Sequence, residues 1–349
     1  MRIVVTGATG NVGTSVIQAL AEAPAAESVL GLARRLPHWH APKTEWAAVD
    51  LRSSDLREHL RGADAVIHLA WLIQPSRDQS LLRAVNVEGS ERLFQAIADV
   101  EVPALIYASS VGAYSPGQKQ RLVGEDWPTE GIPTSFYSRH KAEVERTLDR
   151  FESEVPSVRV VRLRPALIFK GEAAEEIRRL FAGPFLPSPL LHRRLIPFVP
   201  GIRNLRFQAV HSRDVGDAYV LAATKDLRGA FNIAADPVIG SEELADALGA
   251  RAIPVPAPVL RSLTELTWRL RLQPTPPGWL DMALQVPLMD TRRARDELGW
   301  YPRHSSLDAL LELLEGIRRR TGMPTPPLAP ESSGPARSRE IKTGVGGRQ

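Results

Sequence analysis

The chain has 349 residues, a formal net charge of +4, 43% hydrophobic and 24% charged residues, and no cysteine. Such a composition is that of an ordinary globular protein, with material for one large domain or two. It excludes a disulfide framework, a thiolate metal site and a catalytic thiol, and no metal is expected. The arginine clusters Arg34-Arg35, Arg193-Arg194, Arg292-Arg293 and Arg318-Arg319-Arg320 are scattered, which argues against a nucleic-acid partner. No apolar run approaches the roughly 20 residues that span a bilayer, so the expectation is a soluble cytoplasmic protein without a membrane partner.

In chain order, strands are predicted at 2–6, 28–33, 45–49, 65–69, 104–108 and 158–163. Helices are predicted at 12–23, 55–60, 78–99 and 135–153. Short, nearly all-apolar strands alternating with amphipathic helices indicate an α/β, doubly wound parallel sheet covered on both faces. After Arg164-Pro165 the period fades. Residues 166–205 are rich in Pro, Leu and Arg. A strand–helix–strand signal returns at 207–210, 215–223 and 230–234. Helices follow at 241–248, with Ser241 as its N-cap, and then at 291–298 and 307–319. Pro-rich joints separate them at 253–258 and 274–277. The expected division is a dinucleotide-binding domain of residues 1–165 plus 206–235, a smaller, discontinuous α/β substrate domain of 166–205 plus 236–321, and a disordered tail from 322 to 349.

The turn Thr6-Gly7-Ala8-Thr9-Gly10-Asn11-Val12-Gly13 joins the first strand to the first helix. Glycines at 7, 10 and 13 permit a tight turn, close approach of a diphosphate, and helix–strand packing. The free N–H groups at 9–13 face the phosphates. The second strand ends in Ala33-Arg34-Arg35 where a ribose-binding carboxylate is usual in this fold. A carboxylate repels a 2′-phosphate and a guanidinium pairs with it, so Arg34, with Arg35 second, favours NADP(H), NAD(H) remaining the alternative. Asp50, followed by Leu51, closes the third strand, placed to accept from an adenine amino group or to serve as a turn acid before Ser53-Ser54-Asp55.

Tyr137-Ser138-Arg139-His140-Lys141 sets a phenol and an ammonium one helical turn apart. A Lys⁺ about 4 Å from the phenol, at an effective dielectric of about 20, contributes roughly 4 kcal/mol. This brings a tyrosine that titrates near 10 toward working pH. The fifth strand runs into Ser109-Ser110, at a carboxyl edge where a hydroxyl can bond a substrate oxygen.

At these residues the chain resembles the extended short-chain dehydrogenase/reductases, the NAD-dependent epimerase/dehydratase family with a Rossmann fold. The ordered markers are T-G-A-T-G-N-V-G (6–13), V-D-L (49–51), H-L-A (68–70), N-V-E-G-S (86–90), Y-A-S-S-V-G-A-Y (107–114), Y-S-R-H-K (137–141), R-P (164–165), H-S-R-D-V-G-D-A (211–218) and F-N-I-A (231–234). The resemblance implies Tyr137 as general acid/base, Lys141 lowering its pKa and holding the nicotinamide ribose, and Ser110 polarising the reacting oxygen. Asn86 is implied to order a proton-relay water, against a plain helix-surface role. Leu69, Ala70 and Ser109 are implied to pass beside the cofactor. His68 reads as a satisfied strand histidine. The stripe Val144, Leu148 and Phe151 suggests a homodimer face, against packing within the subunit.

Three departures weaken a sugar-epimerase reading. The run Arg164-Pro165-Ala166-Leu167-Ile168-Phe169-Lys170-Gly171 lacks the Asn, Tyr and Pro of R-P-x-N-x-Y-G-P. Gly112 stands where Ser or Thr is common, and Trp71 where a small residue is usual. The leading expectation is an NAD(P)-dependent oxidoreductase on a small-molecule carbonyl or alcohol. The alternatives are a nucleotide-sugar epimerase or dehydratase, and a nucleotide-sensing protein without turnover. If Arg34 reads the 2′-phosphate, Arg34→Ala weakens NADPH by about tenfold or more while leaving NADH nearly unchanged. Paired Kd titrations check this, and an unchanged ratio refutes the assignment.

Overall fold

The computed structural model describes residues 1–186, 196–334, 337–342 and 345; residues 187–195, with Arg193 and Arg194, lie outside them. Its main sheet has seven strands: β1 (Arg2–Thr6), β2 (Ser28–Ala33), β3 (Thr44–Ala48), β4 (Ala65–His68), β5 (Ala104–Ala108), β6 (Arg159–Pro165) and β7 (Gly229–Ile233). Their spatial order is β7-β6-β5-β4-β1-β2-β3, and every pair is parallel. The chain runs outward from β1 to β3, then crosses back to β4 and runs the other way. The carboxyl ends of β1 and β4 therefore diverge at a switch point, where such sheets form a crevice.

Side chains alternate between two apolar layers, which is why the strands read as continuous apolar runs. Ile3, Val5, Ile67, Ile106 and Leu163 join one buried cluster with Tyr219 and Phe231. Val4, Val66, Leu105 and Val160 join the other with Leu93, Val144 and Leu148. The first face is covered by α1 (Asn11–Glu22) and α4 (Ser212–Thr224), which approach closely at Gly216: a Cβ there would lie 2.7 Å from Ser15 O. The second is covered by α2 (Gly89–Asp99) and α3 (Phe136–Glu154). Val144, Leu148 and Phe151 are buried in that layer. The stripe offered for a dimer face thus packs within the subunit.

The predicted helix at 78–99 is one rod with a π turn at Ala84–Glu88. The strand Phe207–His211 does not enter the main sheet. It is the centre of a three-stranded sheet, parallel to Leu167–Phe169 and antiparallel to Ala235–Ile239. Two parallel pairs, Phe198–Gly201 with Arg251–Pro254 and Leu122–Val123 with Leu288–Met289, complete the described strands. Gly240, not Ser241, caps the helix Ser241–Leu248, and its N–H donates to Glu243 Oε2 at 2.9 Å. Two helices that were not expected follow the Pro-rich joints, α5 (Ala257–Arg269) and α6 (Gly278–Gln285), ahead of α7 (Ser306–Arg319). Among the described residues no helix is long and apolar enough to cross a membrane.

The tail expected to lack order is packed in its described part. Leu328 is fully buried, Thr325 Oγ1 donates to Thr9 O at 2.9 Å, and the buried Arg178 guanidinium pairs with Glu340. The expectation weighed apolar content alone. Polar anchors and one leucine fix this segment instead.

Buried His68 bridges Thr6 Oγ1 (2.7 Å) and Ser90 Oγ (2.9 Å). Burial pushes its pKa down to about 3, and that of His140 down to about 4. Unfolded histidines bind protons near 6.5, so the unfolded chain takes up protons that the native one refuses. Stability is therefore full above about pH 6.5 and falls as pH drops toward 4. The urea midpoint decreases from pH 7 to pH 5, and His68→Phe flattens that slope by about one proton.

Candidate active site

The glycine turn sits at the switch point. Gly7 has φ +69°, and a Cβ on it would lie 2.7 Å from Ala70 N; a Cβ on Gly13 would lie 2.3 Å from Gly7 O. A Cβ on Gly10 would meet only Gly7 O, at 3.6 Å. Two of the glycines therefore serve backbone packing, and Gly10 opens onto a cavity. Gly10 caps α1 without a side-chain bond; the Asn11 N–H is taken by the Glu176 carboxylate, itself an anion at this helix end, and the N–H groups that follow form an anion cradle. The cradle fits a diphosphate. The Asn11 side chain is not part of it, because Nδ2 donates to Ile168 O at 3.1 Å.

The cavity holds about 670 Å³ and is lined by every residue assigned to the cofactor: Gly7, Thr9, Gly10, Asn11, Val12, Gly13, Arg34, Arg35, Asp50, Leu51, Leu69, Ala70, Ser109, Tyr137 and Lys141. At the adenosine end Arg52 holds both Asp50 carboxylate oxygens, and with some help from Arg34 keeps this acid down at about 2. Asp50 is thus a turn acid as well as a wall of the cavity. Arg179 and Glu176 enter the same wall. Burial pushes Arg179 down; Glu176 pulls it back and Arg35 adds to the fall, which places the three groups together. Burial pushes Glu176 up, although Asn11 N–H donates to it. Nothing in the sequence period marked Glu176 or Arg179, because they lie in the irregular stretch after β6.

At the other end the structure brings Ser110, Tyr137 and Lys141 together. Ser135 caps α3, so Tyr137 lies in its first turn and Lys141 one turn on. Ser110 Oγ accepts from Gly112 N at 3.0 Å and hydrogen-bonds the Tyr137 phenol. A Cβ on Gly112 would come within 2.9 Å of Tyr137 Cε1, so glycine clears room for the ring. Lys141 Nζ donates to Ala108 O at 2.6 Å and stands 3.5 Å over the Trp71 ring, but 5.8 Å from the Tyr137 ring centre. Burial pushes Lys141 well down and Tyr137 up to about 12, with Ser110 partly opposing the latter. The expected lowering of the phenol by the ammonium is therefore not what this geometry produces: desolvation outweighs a cation turned toward a carbonyl and an indole.

Asn86 is buried and does not line the cavity. Its amide donates to Leu72 O at 2.8 Å and accepts from Leu72 N at 2.7 Å. It is neither a surface residue nor in contact with the reacting centre; it positions the segment after Ala70. The sequence reading also missed Glu145, one turn beyond Lys141. Glu145 accepts from Ser109 Oγ (2.5 Å), Arg162 (3.0 Å) and Arg164 (2.9 and 3.1 Å), entirely out of solvent. Burial alone would raise it; the two arginines overcome burial and hold it at about 2. Two arginines alternating in an apolar strand were the available signal, since buried cations require an acid.

The catalytic end is otherwise apolar. Tyr137 packs against Trp279 (4.9 Å between ring centres) and edge-on to Trp71 (5.9 Å), and Trp279 packs against Phe181 (4.9 Å). Leu72, Ile73, Val111 and Met282 complete it.

Residues 3–234 match the NAD dependent epimerase/dehydratase family. The chain belongs to this family. Its members are NAD-dependent enzymes with the Rossmann-like sheet described above. An uncharacterized protein of Mycobacterium tuberculosis is 26% identical over 328 residues, 93% of this chain, and the chain spans only 31% of that relative's length. A sterol-4-alpha-carboxylate 3-dehydrogenase of Candida albicans, decarboxylating, is 30% identical over 165 residues, covering 47% of this chain and 44% of that one. Among solved structures, a UDP-glucose 4-epimerase of Thermotoga maritima superposes with TM-score 0.68 at 21% identity, covering 92% of this chain and 99% of that one. That likeness is one of fold.

Removing the acid beneath the site strips the buried Arg164 guanidinium of its carboxylate, while Arg162 keeps Asp149 and Glu152. Glu145→Ala is expected to cost about 3–5 kcal/mol, read as a fall in the urea midpoint. A loss below about 1 kcal/mol would show that Arg164 finds another partner.

Proposed function

We propose that this chain is an NADP(H)-dependent oxidoreductase that interconverts an apolar carbonyl compound and its secondary alcohol. One observation carries the reading. The phenol of Tyr137 and the hydroxyl of Ser110 open onto a wall of Trp71, Trp279, Phe181 and Met282, while the charged residues lining the cavity other than Lys141, namely Arg34, Arg35, Asp50, Glu176, Arg179 and Glu340, gather toward its nucleotide half. Among the described residues Lys141 is the one cation touching the aromatic wall. A sugar nucleotide needs cations for its own diphosphate, and an aromatic cage gives it none.

Arg34 and Arg35 would hold a 2′-phosphate, the α1 N-terminus the diphosphate, and Lys141 the nicotinamide ribose. The dinucleotide, when bound, supplies or accepts the hydride. The chain handles the proton. A phenol pushed up to about 12 stays protonated at neutral pH, which suits it to donate to a carbonyl oxygen. Ser110 orients that oxygen by a second hydrogen bond. The two tryptophans exclude water from the reacting centre.

The second reading, an epimerase or dehydratase acting on a nucleotide sugar, has in its favour the solved structures of like fold, which include a UDP-glucose 4-epimerase and a dTDP-glucose 4,6-dehydratase. Native mass spectrometry of the purified protein followed by a carbonyl panel read at the NADPH absorbance separates the two. A reductase releases its nucleotide and oxidises NADPH with an apolar ketone or aldehyde. Retained NAD together with conversion of UDP-glucose or dTDP-glucose would refute the proposal. Tyr137→Phe is expected to lower kcat at least about a hundredfold while nucleotide Kd stays within about threefold.

A further inference from the structure

The helix α5 turns most of its apolar residues to the outside. A helix on a globular surface turns its apolar stripe to the core. None of the residues of α5 is buried. Its inward side sets half-buried Leu260 and Trp268 among polar groups: Arg261 donates to Asp281 of α6 at 2.8 Å, and Gln273 Nε2 donates to Thr264 O and Thr267 Oγ1. Val259, Leu263, Leu266 and Leu270, spaced i, i+4, i+7 and i+11, form one stripe on the outward side. Each is more than half exposed, and Leu272 and Ile253 extend the patch.

The flanks are cationic. Arg269 and Arg271 are exposed at the end of the stripe. Arg77 lies over the Trp268 ring at 4.2 Å and donates to Trp268 O. Burial and then the charge of Arg271 push Arg77 down, so these two cations are neighbours. The acids nearby are committed: Asp281 to Arg261, Glu265 to Arg261 and Arg269, and Asp78 to Ser80 and Leu81. No carboxylate among the described residues pairs with Arg77 or Arg271.

The patch is continuous with the rim of the catalytic cavity. Gln74 Nε2 donates to Leu180 O (2.9 Å) and Pro274 O (3.1 Å), and Thr275 Oγ1 donates to Phe181 O. The residues just after α5 are thereby stitched to Gln74, Leu180 and Phe181, which line the cavity.

We propose that this face docks on an anionic lipid bilayer, with α5 lying in the interface plane, its Val and Leu stripe in the acyl boundary and Arg77, Arg269 and Arg271 at the phosphate level. An apolar stripe rimmed by cations is the chemistry of an interfacial helix. The cations clustered at one end of the stripe favour an anionic surface over a second copy of the chain, which the light-scattering arm below tests. The docking surface stands independently of the proposed reaction. If both hold, the aromatic end of the cavity opens beside the phase in which an apolar substrate resides.

Flotation of the full chain with vesicles of equal parts phosphatidylcholine and phosphatidylglycerol, and with phosphatidylcholine alone, tests this. The protein is expected to float with the anionic vesicles and about tenfold less with the neutral ones. Leu263→Ser with Leu266→Ser, both exposed, lowers anionic-vesicle binding by about tenfold or more without changing the thermal midpoint. Arg269→Gln with Arg271→Gln brings binding down to the neutral-vesicle level. The proposal is overturned if the wild type floats with neither vesicle, or if the double-serine variant floats as the wild type does. It is equally overturned if light scattering shows a wild-type dimer that the double-serine change splits while vesicles bind neither form.

Discussion

Three stretches of backbone meet at van der Waals distance around Gly7, and the site depends on that contact. The end of β1, the first turn of α1 and the segment after β4 come so close that a single methyl at position 7 or 13 would overlap main-chain atoms. Side chains cannot mediate packing of this kind, so its geometry is fixed by the backbone. Because Ala70 is pinned there, the segment that follows is directed across the carboxyl edge of the sheet. Asn86 then grips Leu72 from the π turn, and Trp71 between them is aimed at Lys141 and Tyr137. The glycine turn and the helix that carries Tyr137 and Lys141 are in this way held in register by one short loop.

Much of this was legible in the sequence, for a physical reason. Strands covered on both faces must be apolar throughout, so β1, β2 and β5 stand out as runs bounded by turn residues. The glycine turn and the Tyr–Lys spacing are local, and local patterns survive without tertiary knowledge. The irregular segments were not legible. The helices α5 and α6 begin at prolines, which read as joints; α5 turns its apolar period outward, and α6 is only two turns long, with Trp279 and Met282 as its inward anchors. The direction of the Lys141 ammonium depends on Ala108 O and Trp71, which are remote in sequence. The tail was misjudged because its anchors, Thr325 and Glu340, are polar residues whose partners lie more than a hundred residues away.

The arrangement of charge is as informative as the catalytic residues. Glu145, Arg162 and Arg164 form a polar cluster under Ser109, which Asp149 and Glu152 complete by pairing with Arg162. Such clusters are costly to bury and costlier to break. Here the cluster ties α3, which carries both Tyr137 and Lys141, to β5 and β6. The chain thereby keeps ionic groups close to the reacting centre for rigidity while presenting an aromatic wall to whatever enters. Family membership points to NAD-dependent chemistry; the wall is what distinguishes this cavity's surface at Tyr137.

The carboxyl-terminal segment adds a thermodynamic consequence. Thr325 shares a hydrogen bond with Thr9 of the glycine turn, and Pro327 and Glu340 border the same cavity as Arg34 and Arg179. A guest in that cavity and the docking of this segment are therefore not independent equilibria. Linkage requires the influence to be mutual and equal in ratio. By whatever factor a bound dinucleotide tightens the segment's attachment, the attached segment tightens the dinucleotide, so residues more than 300 positions from the cradle belong to its affinity.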